Sequence, residues 1–187
     1  MDFLKKLYRL LFVWKIPAAS DEEIRQADVL VVFAISWSAD NTPGQGNRIN
    51  ISTAKEMAEK FCKPIIAEWY AAQADLEISY AFVGNPASST NAVSTTEYGT
   101  HTFAPQVVKF CRNKGWKKAI VYAEPHHMGR VMWCLQKFGL KYTKAAQMPK
   151  EGYFGPGLIH WFSHRWAWLF RIRETIVRLL FWYWGYI

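Results

Sequence analysis

Cysteine is scarce in this sequence: Cys62, Cys111 and Cys134 are widely spaced and odd in number among 187 residues. With no CxxC pair, neither a structural zinc site nor a disulfide framework is expected. Cys62 and Cys111 fall in the apolar stripes of expected helices, which predicts buried, reduced thiols and a reducing compartment. Long apolar runs are also missing. None reaches the roughly 18 residues that a membrane-spanning helix needs. Lys5 and Lys6 resemble the start of a signal peptide and Ala18-Ala19 a weak cleavage site. However, only Leu10 to Trp14 run uninterrupted, too short for its apolar region. There is no G-x-G-x-x-G dinucleotide fingerprint and no G-x-S-x-G nucleophile elbow. No internal repeat or low-complexity segment occurs. The expected location is cytoplasmic, with attachment to the inner face of the membrane left open.

What is present is apolar and aromatic. Hydrophobic residues make up 51% and charged residues 20%, a globular balance. The length suits one domain, residues 1–187. Ten tryptophans and 17% aromatic residues exceed the needs of one core, so some rings are expected at a surface or interface. The formal charge of +8 permits nucleic acid, anionic lipid or a phosphorylated substrate and selects none. Its distribution says more. Lys5, Lys6, Arg9 and Lys15 crowd one end and Arg165, Arg171, Arg173 and Arg178 the other, both among aromatic residues.

Along the chain, residues 3–14 read as an amphipathic helix within an N-terminal segment 1–16, and Ser20-Asp21-Glu22-Glu23 as a helix cap. Val29 to Ile35 is a continuous β-branched and apolar run, the pattern of a central strand buried on both faces. Further strands are expected at 64–70, 78–83, 118–122 and 140–146, and helices at 52–62, 103–113 and 129–138. This alternation over 20–148 predicts a Rossmann-like three-layer α/β sandwich with a mainly parallel sheet of about five strands. An aromatic helix is expected over 158–185, with Arg171, Glu174 and Arg178 as its polar strip.

Ligands of such sheets sit beyond the strand C-termini, at the switch point of the strand order. Three polar segments should meet there. The first, Ser36 to Arg48, offers Ser36, Ser38, Gly44 and Gly46 for close backbone approach to an anion, and Arg48 to hold its charge. The second, Glu124 to Arg130, offers His126 as a contact, His127 as acid or base and Arg130 as a second cation. Adjacent histidines alone are a poor metal pair; His101 or Glu124 would have to complete a site, and no metal is assigned. The third segment, Ser88 to Tyr98, is dense in hydroxyls and offers Thr95 and Glu97.

Lys118 to Trp133, with its Glu124-Pro125-His126-His127-Met128-Gly129-Arg130 core, resembles the strand, "HMxRA" and helix of the YdcF-like family (SanA/ElyC-type domains). Gly139-Leu140 matches that family's Gly-Leu step, Ala27 to Ala34 its first strand, and Arg48 with Ala54 its "R…A" helix start. Ser94 to Glu97 is a degenerate form of its Thr- and Asn-rich helix entry, and Arg173 to Gly185 resembles its last helix. The chain departs from the pattern at Ser36-Trp37-Ser38, where the family has a Gly-rich turn. It departs again at Glu68-Trp69-Tyr70, where "SGG" is expected, and at Val131, where Ala is usual. The resemblance implies a Rossmann-like domain, a nucleotide-like ligand such as S-adenosylmethionine or a phosphorylated envelope precursor, and a link to cell-envelope biogenesis. It fixes no reaction; transferase and hydrolase chemistry both stay open.

The leading expectation is therefore a protein that binds an anionic or nucleotide-like small molecule. A non-catalytic peripheral membrane module acting through cationic, aromatic terminal helices is the competing class. Those helices would equally serve homo-oligomer formation. Nucleic-acid binding is permitted by the charge but supported by no motif or basic stripe.

Overall fold

A computed structural model describes residues 8, 16–35, 42–84, 99–149, 151, 153 and 167–186. The expected helix over 3–14, apart from Tyr8, lies outside the described residues, as do most of the two polar loops, including Ser36, Ser38, Thr95 and Glu97.

The chain runs α1 (Asp21–Arg25), β1 (Val29–Val32), α2 (Gln45–Phe61), β2 (Ile65–Glu68), α3 (Trp69–Ala72) and β3 (Phe82–Gly84). It continues α4 (Thr100–Lys114), β4 (Lys118–Tyr122), α5 (Met128–Phe138), β5 (Tyr142–Ala145) and α6 (Ala167–Tyr183). The five strands are all parallel, in the order β3-β2-β1-β4-β5. Strand β1 is central, pairing Leu30 with Ile65 on one side and Val31 with Val121 on the other. All four of its residues are fully buried, because helices cover both faces. Leu30, Val32, Ile120 and Tyr122 pack under α1, α2 and α3; Val29, Val31, Ala119 and Val121 pack under α4, α5 and Phe181 of α6. Each fully buried Val or Leu contributes about 1.5–3 kcal/mol of transfer free energy. Gly84 closes β3 where a Cβ would lie 2.4 Å from the Phe103 ring, so glycine lets α4 approach.

Local signals explain the boundaries. Helix α1 has the expected cap: Ser20 Oγ accepts the Glu23 N–H, and Glu23 reaches back to the Ser20 N–H at 2.9 Å. Helix α2 starts seven residues before the expected position. Gly44 is its N-cap, with extended backbone, and Gly46 lies buried within its first turn, so the two glycines open a helix and do not lie in a long loop. The start was hidden because Gly44 has no side chain to cap with and glycine is a poor helix former.

The cysteines correct a second expectation. Cys111 is buried as foreseen, but Cys62 is exposed, because α2 ends at Phe61 and Cys62 turns left-handed (φ 52°, ψ 50°). Helices α4 and α5 end on Gly115 and Gly139 in the same region, where glycine avoids the Cβ clash. Cys62→Gly should therefore raise the unfolding free energy by about 0.5–1 kcal/mol, the relief of a left-handed L-residue less the entropy of a freer unfolded chain. A rise in the urea midpoint at constant slope is the readout.

The polar strip expected on the last helix is inverted. Arg171 is exposed, but Glu174 and Arg178 are fully buried. The outward face instead carries Trp168, Ile172, Ile176, Leu180 and Tyr183. Partners on α5 make the difference. Among the described residues, no helix is long and apolar enough to cross a membrane.

Candidate functional site

The strand order reverses between β1 and β4, so the crevice beyond their C-terminal ends is the place to look for a ligand. Two asparagines on the inward face of α2 shape its β1 side. Asn50 Nδ2 donates to the Phe33 carbonyl at 2.8 Å, and its Oδ1 accepts from the buried Tyr153 hydroxyl. Asn47 Oδ1 accepts the Ile35 N–H at 2.7 Å, while its Nδ2 donates to the Tyr70 carbonyl. Both asparagines are completely buried. They take up backbone groups left unpaired where β1 stops, which holds the chain leaving β1 against α2 and α3.

Glu68 ends β2 beside this loop. Its Oε2 accepts the Ala34 N–H at 2.9 Å; among the described residues, Oε1 has no hydrogen-bond partner. Burial pushes the Glu68 carboxyl up to about 7, against the opposing pull of the Ala34 N–H and of Arg130. Glu68 is thus poised between its two protonation states near neutral pH.

On the β4 side the tight turn from Glu124 to His127 is organised by one buried carboxylate. Glu124 Oε1 lies 2.5 Å from His126 Nδ1, and Oε2 accepts the His127 N–H at 2.9 Å. His127 is the N-cap of α5 and is buried, with Nε2 2.9 Å from Thr100 Oγ1. That hydroxyl also accepts from Arg130 Nη1 at 2.9 Å. Arg130 in turn forks onto Glu174, Nε to Oε1 at 2.9 Å and Nη2 to Oε2 at 3.1 Å. Arg178 shares Oε1 of the same carboxylate at 3.3 Å and donates from Nη2 to the His126 carbonyl at 2.8 Å. Phe181 lies under the Arg130 guanidinium, 4.7 Å from its carbon, and Trp133 under that of Arg178 at 5.2 Å. Burial lowers the Arg178 pKa from its ordinary value, and Glu174 opposes that shift. Half-buried His101 is also lowered, by burial first and then by repulsion from Arg130.

Of the expected site residues, the structure brings His126, His127 and Arg130 into one hydrogen-bonded group. Arg48 stays outside it: exposed on α2, it donates from Nε to the Pro43 carbonyl and lines a surface groove with Ile51, Ser52 and Asp75. Gly44 is the N-cap of α2 and Gly46 sits in its first turn. Arg130 already holds a carboxylate of its own chain, so its charge is largely taken up internally. Of the two histidines, His126 is the one solvent reaches, with 16% of its side chain exposed.

Asn47, Asn50, Glu68, Thr100, Glu174 and Arg178 had not been marked as site residues. A charge closing the apolar stretch Ile65-Ile66-Ala67, and two asparagines three apart on an otherwise apolar helix face, were the available signals. No pattern within α6 reveals that Glu174 meets Arg130. Among the described residues, no group of three His, Cys, Asp or Glu side chains is placed to hold a metal ion. No family model matches the chain, and no curated protein or solved structure matches it either.

Proposed function

We propose that the chain binds a ribonucleoside-type small molecule in the crevice between the C-terminal ends of β1 and β4. The observation that carries this reading is Glu68. In sheets of this strand order, a carboxylate at this end of the sheet hydrogen-bonds the ribose hydroxyls of a bound nucleotide. Glu68 has one oxygen committed to Ala34 and the other without a partner among the described residues. The opposite wall is His126, roughly 10 Å away across β1 by ordinary strand spacing, a span that a nucleoside fills. His126, oriented by Glu124 and reachable from solvent, takes the acid–base role. Buried His127 positions Thr100 and the turn. With Arg130 and Arg178 already paired to Glu174, the reading favours a ligand of modest charge. S-adenosylmethionine, implied by the YdcF-like resemblance of residues 118–133, fits that description, as do simple nucleosides; a 2′-phosphorylated ligand would meet Glu68 unfavourably.

The test is a thermal-shift and calorimetric panel of adenosine, AMP, S-adenosylmethionine and their 2′- and 3′-deoxy analogues. At least one ribose compound should raise the melting temperature, and loss of either hydroxyl should weaken it. Glu68→Ala should cost about 1.5–3 kcal/mol of binding, the range for a hydrogen bond to a charged group, and remove the preference for ribose over deoxyribose. If no ribose compound binds, or if the variant keeps full affinity and preference, the reading is wrong.

A further inference from the structure

Helix α6 uses one side for the fold. Phe170, Glu174, Arg178 and Phe181 are buried. The opposite side is apolar and open to solvent: Trp168 is 60% exposed, Ile172 52%, Ile176 53% and Leu180 40%. These residues recur every fourth position, so they form one stripe, and Tyr183 and Trp184 extend it at 82% and 57% exposure. Over 17 residues the stripe runs about 25 Å. A contiguous apolar surface of that extent on a folded chain marks a contact with something else.

The surrounding charge indicates what that is. The charges of α6 that reach solvent are exposed Arg171 and half-buried Arg173, which lies over the Phe170 ring; both are cationic, since its acid, Glu174, is consumed inside. The chain as a whole carries a formal charge of +8. On the α1 and α2 side, by contrast, exposed charges pair with each other: Lys60 with Asp21, Lys144 with Glu23, and Arg25 with Glu22. An anionic surface therefore meets cations and no exposed acid along α6. The stripe's rings are the residue types that favour the lipid headgroup layer, half in hydrocarbon and half in water.

We propose that the outer face of α6 lies on an anionic lipid surface, with Ile172, Ile176 and Leu180 inserted, Trp168, Tyr183 and Trp184 at headgroup level, and Arg171 and Arg173 against lipid phosphates. A second copy of the chain would bring the same cations and no exposed acid on this helix.

The experiment is sedimentation of the full chain with phosphatidylglycerol and with phosphatidylcholine vesicles, for wild type and for Ile172→Asp/Ile176→Asp. Both isoleucines are solvent-exposed, so this variant should keep the wild-type melting temperature. Wild type should pellet with phosphatidylglycerol at low salt, much less with phosphatidylcholine, and be released as salt screens the charge. The double variant should lose about tenfold or more in affinity, because inserted isoleucines are lost and two negative charges are added. Arg171→Glu, which leaves the apolar stripe intact, should weaken binding to phosphatidylglycerol alone. The proposal is overturned if wild type stays in the supernatant at low salt, or if both variants bind as well as wild type. It is also overturned if light scattering finds a dimer that Ile172→Asp/Ile176→Asp dissociates while no vesicle binding occurs; the occupant is then a second copy.

Discussion

Replacing Glu174 with alanine is expected to lower the unfolding free energy by about 3–5 kcal/mol, the cost of leaving a buried charge without its partner. The carboxylate is fully buried and serves two guanidinium groups, Arg130 through two hydrogen bonds and Arg178 through one. Its removal strands two cations with little access to water. Glu174→Gln, which keeps the shape and one acceptor, should lose less. Replacing the whole group, with Arg130→Met, Glu174→Leu and Arg178→Met together, should recover part of the loss, because no charge is then buried. Full recovery is not expected, since Thr100 and the His126 carbonyl would lose their donors. Urea unfolding measures all three, the midpoint reporting stability while the slope stays constant.

Glu68→Gln is expected to stabilise the protein above pH 7 and to change nothing below about pH 4. The folded carboxyl titrates at about 7 against an ordinary value of 4.5. Between those values the folded state holds a proton that the unfolded chain has released. Stability is therefore complete below the unfolded value, falls as pH rises through the folded one, and levels off above it. At roughly 1.4 kcal/mol per pH unit, the change is at most about 3.5 kcal/mol, and partial exposure of the residue makes that an upper bound. Glutamine keeps the acceptor for Ala34 and cannot ionise, so it removes the loss. The difference in unfolding free energy between variant and wild type, followed from pH 4 to 9, should rise from near zero to a plateau. A flat difference would mean that Glu68 titrates normally and is not poised near neutrality.

These two residues also show where sequence reading stops. Strand β1 was legible because a run buried on both faces needs no alternation, and its central position followed from that burial. Strand β4 and helices α4 and α5 were legible because their apolar periodicity and closing glycines are local. The third strand was displaced, from 78–83 to Phe82–Gly84, because Ile78 and Tyr80 are apolar for a different reason: they pack beneath the sheet from a turn, with the Tyr80 hydroxyl donating to the Asp75 carbonyl. His126, His127 and Arg130 were found because they lie within one turn and the following helix. Glu68 and Glu174 were not. The role of each is set by a group distant in sequence, Ala34 for one and Arg130 for the other. A single charged residue in an apolar segment reads alike whether it faces water or a buried partner. The same ambiguity put the polar strip of α6 on the wrong side.

The joining of α6 to the turn after β4 has a consequence in time. Every strand of the sheet precedes residue 146, whereas Glu174 pairs with an arginine 44 residues before it. On a growing chain, the sheet and helices α1 to α5 are complete in sequence while Arg130 still awaits its carboxylate. A contact that closes so long a loop onto an assembled core falls late on the folding path. Loss of Glu174 should then leave the refolding rate nearly untouched and appear almost wholly as faster unfolding. The lifetime of the His126 turn, rather than its speed of assembly, is what the last helix governs.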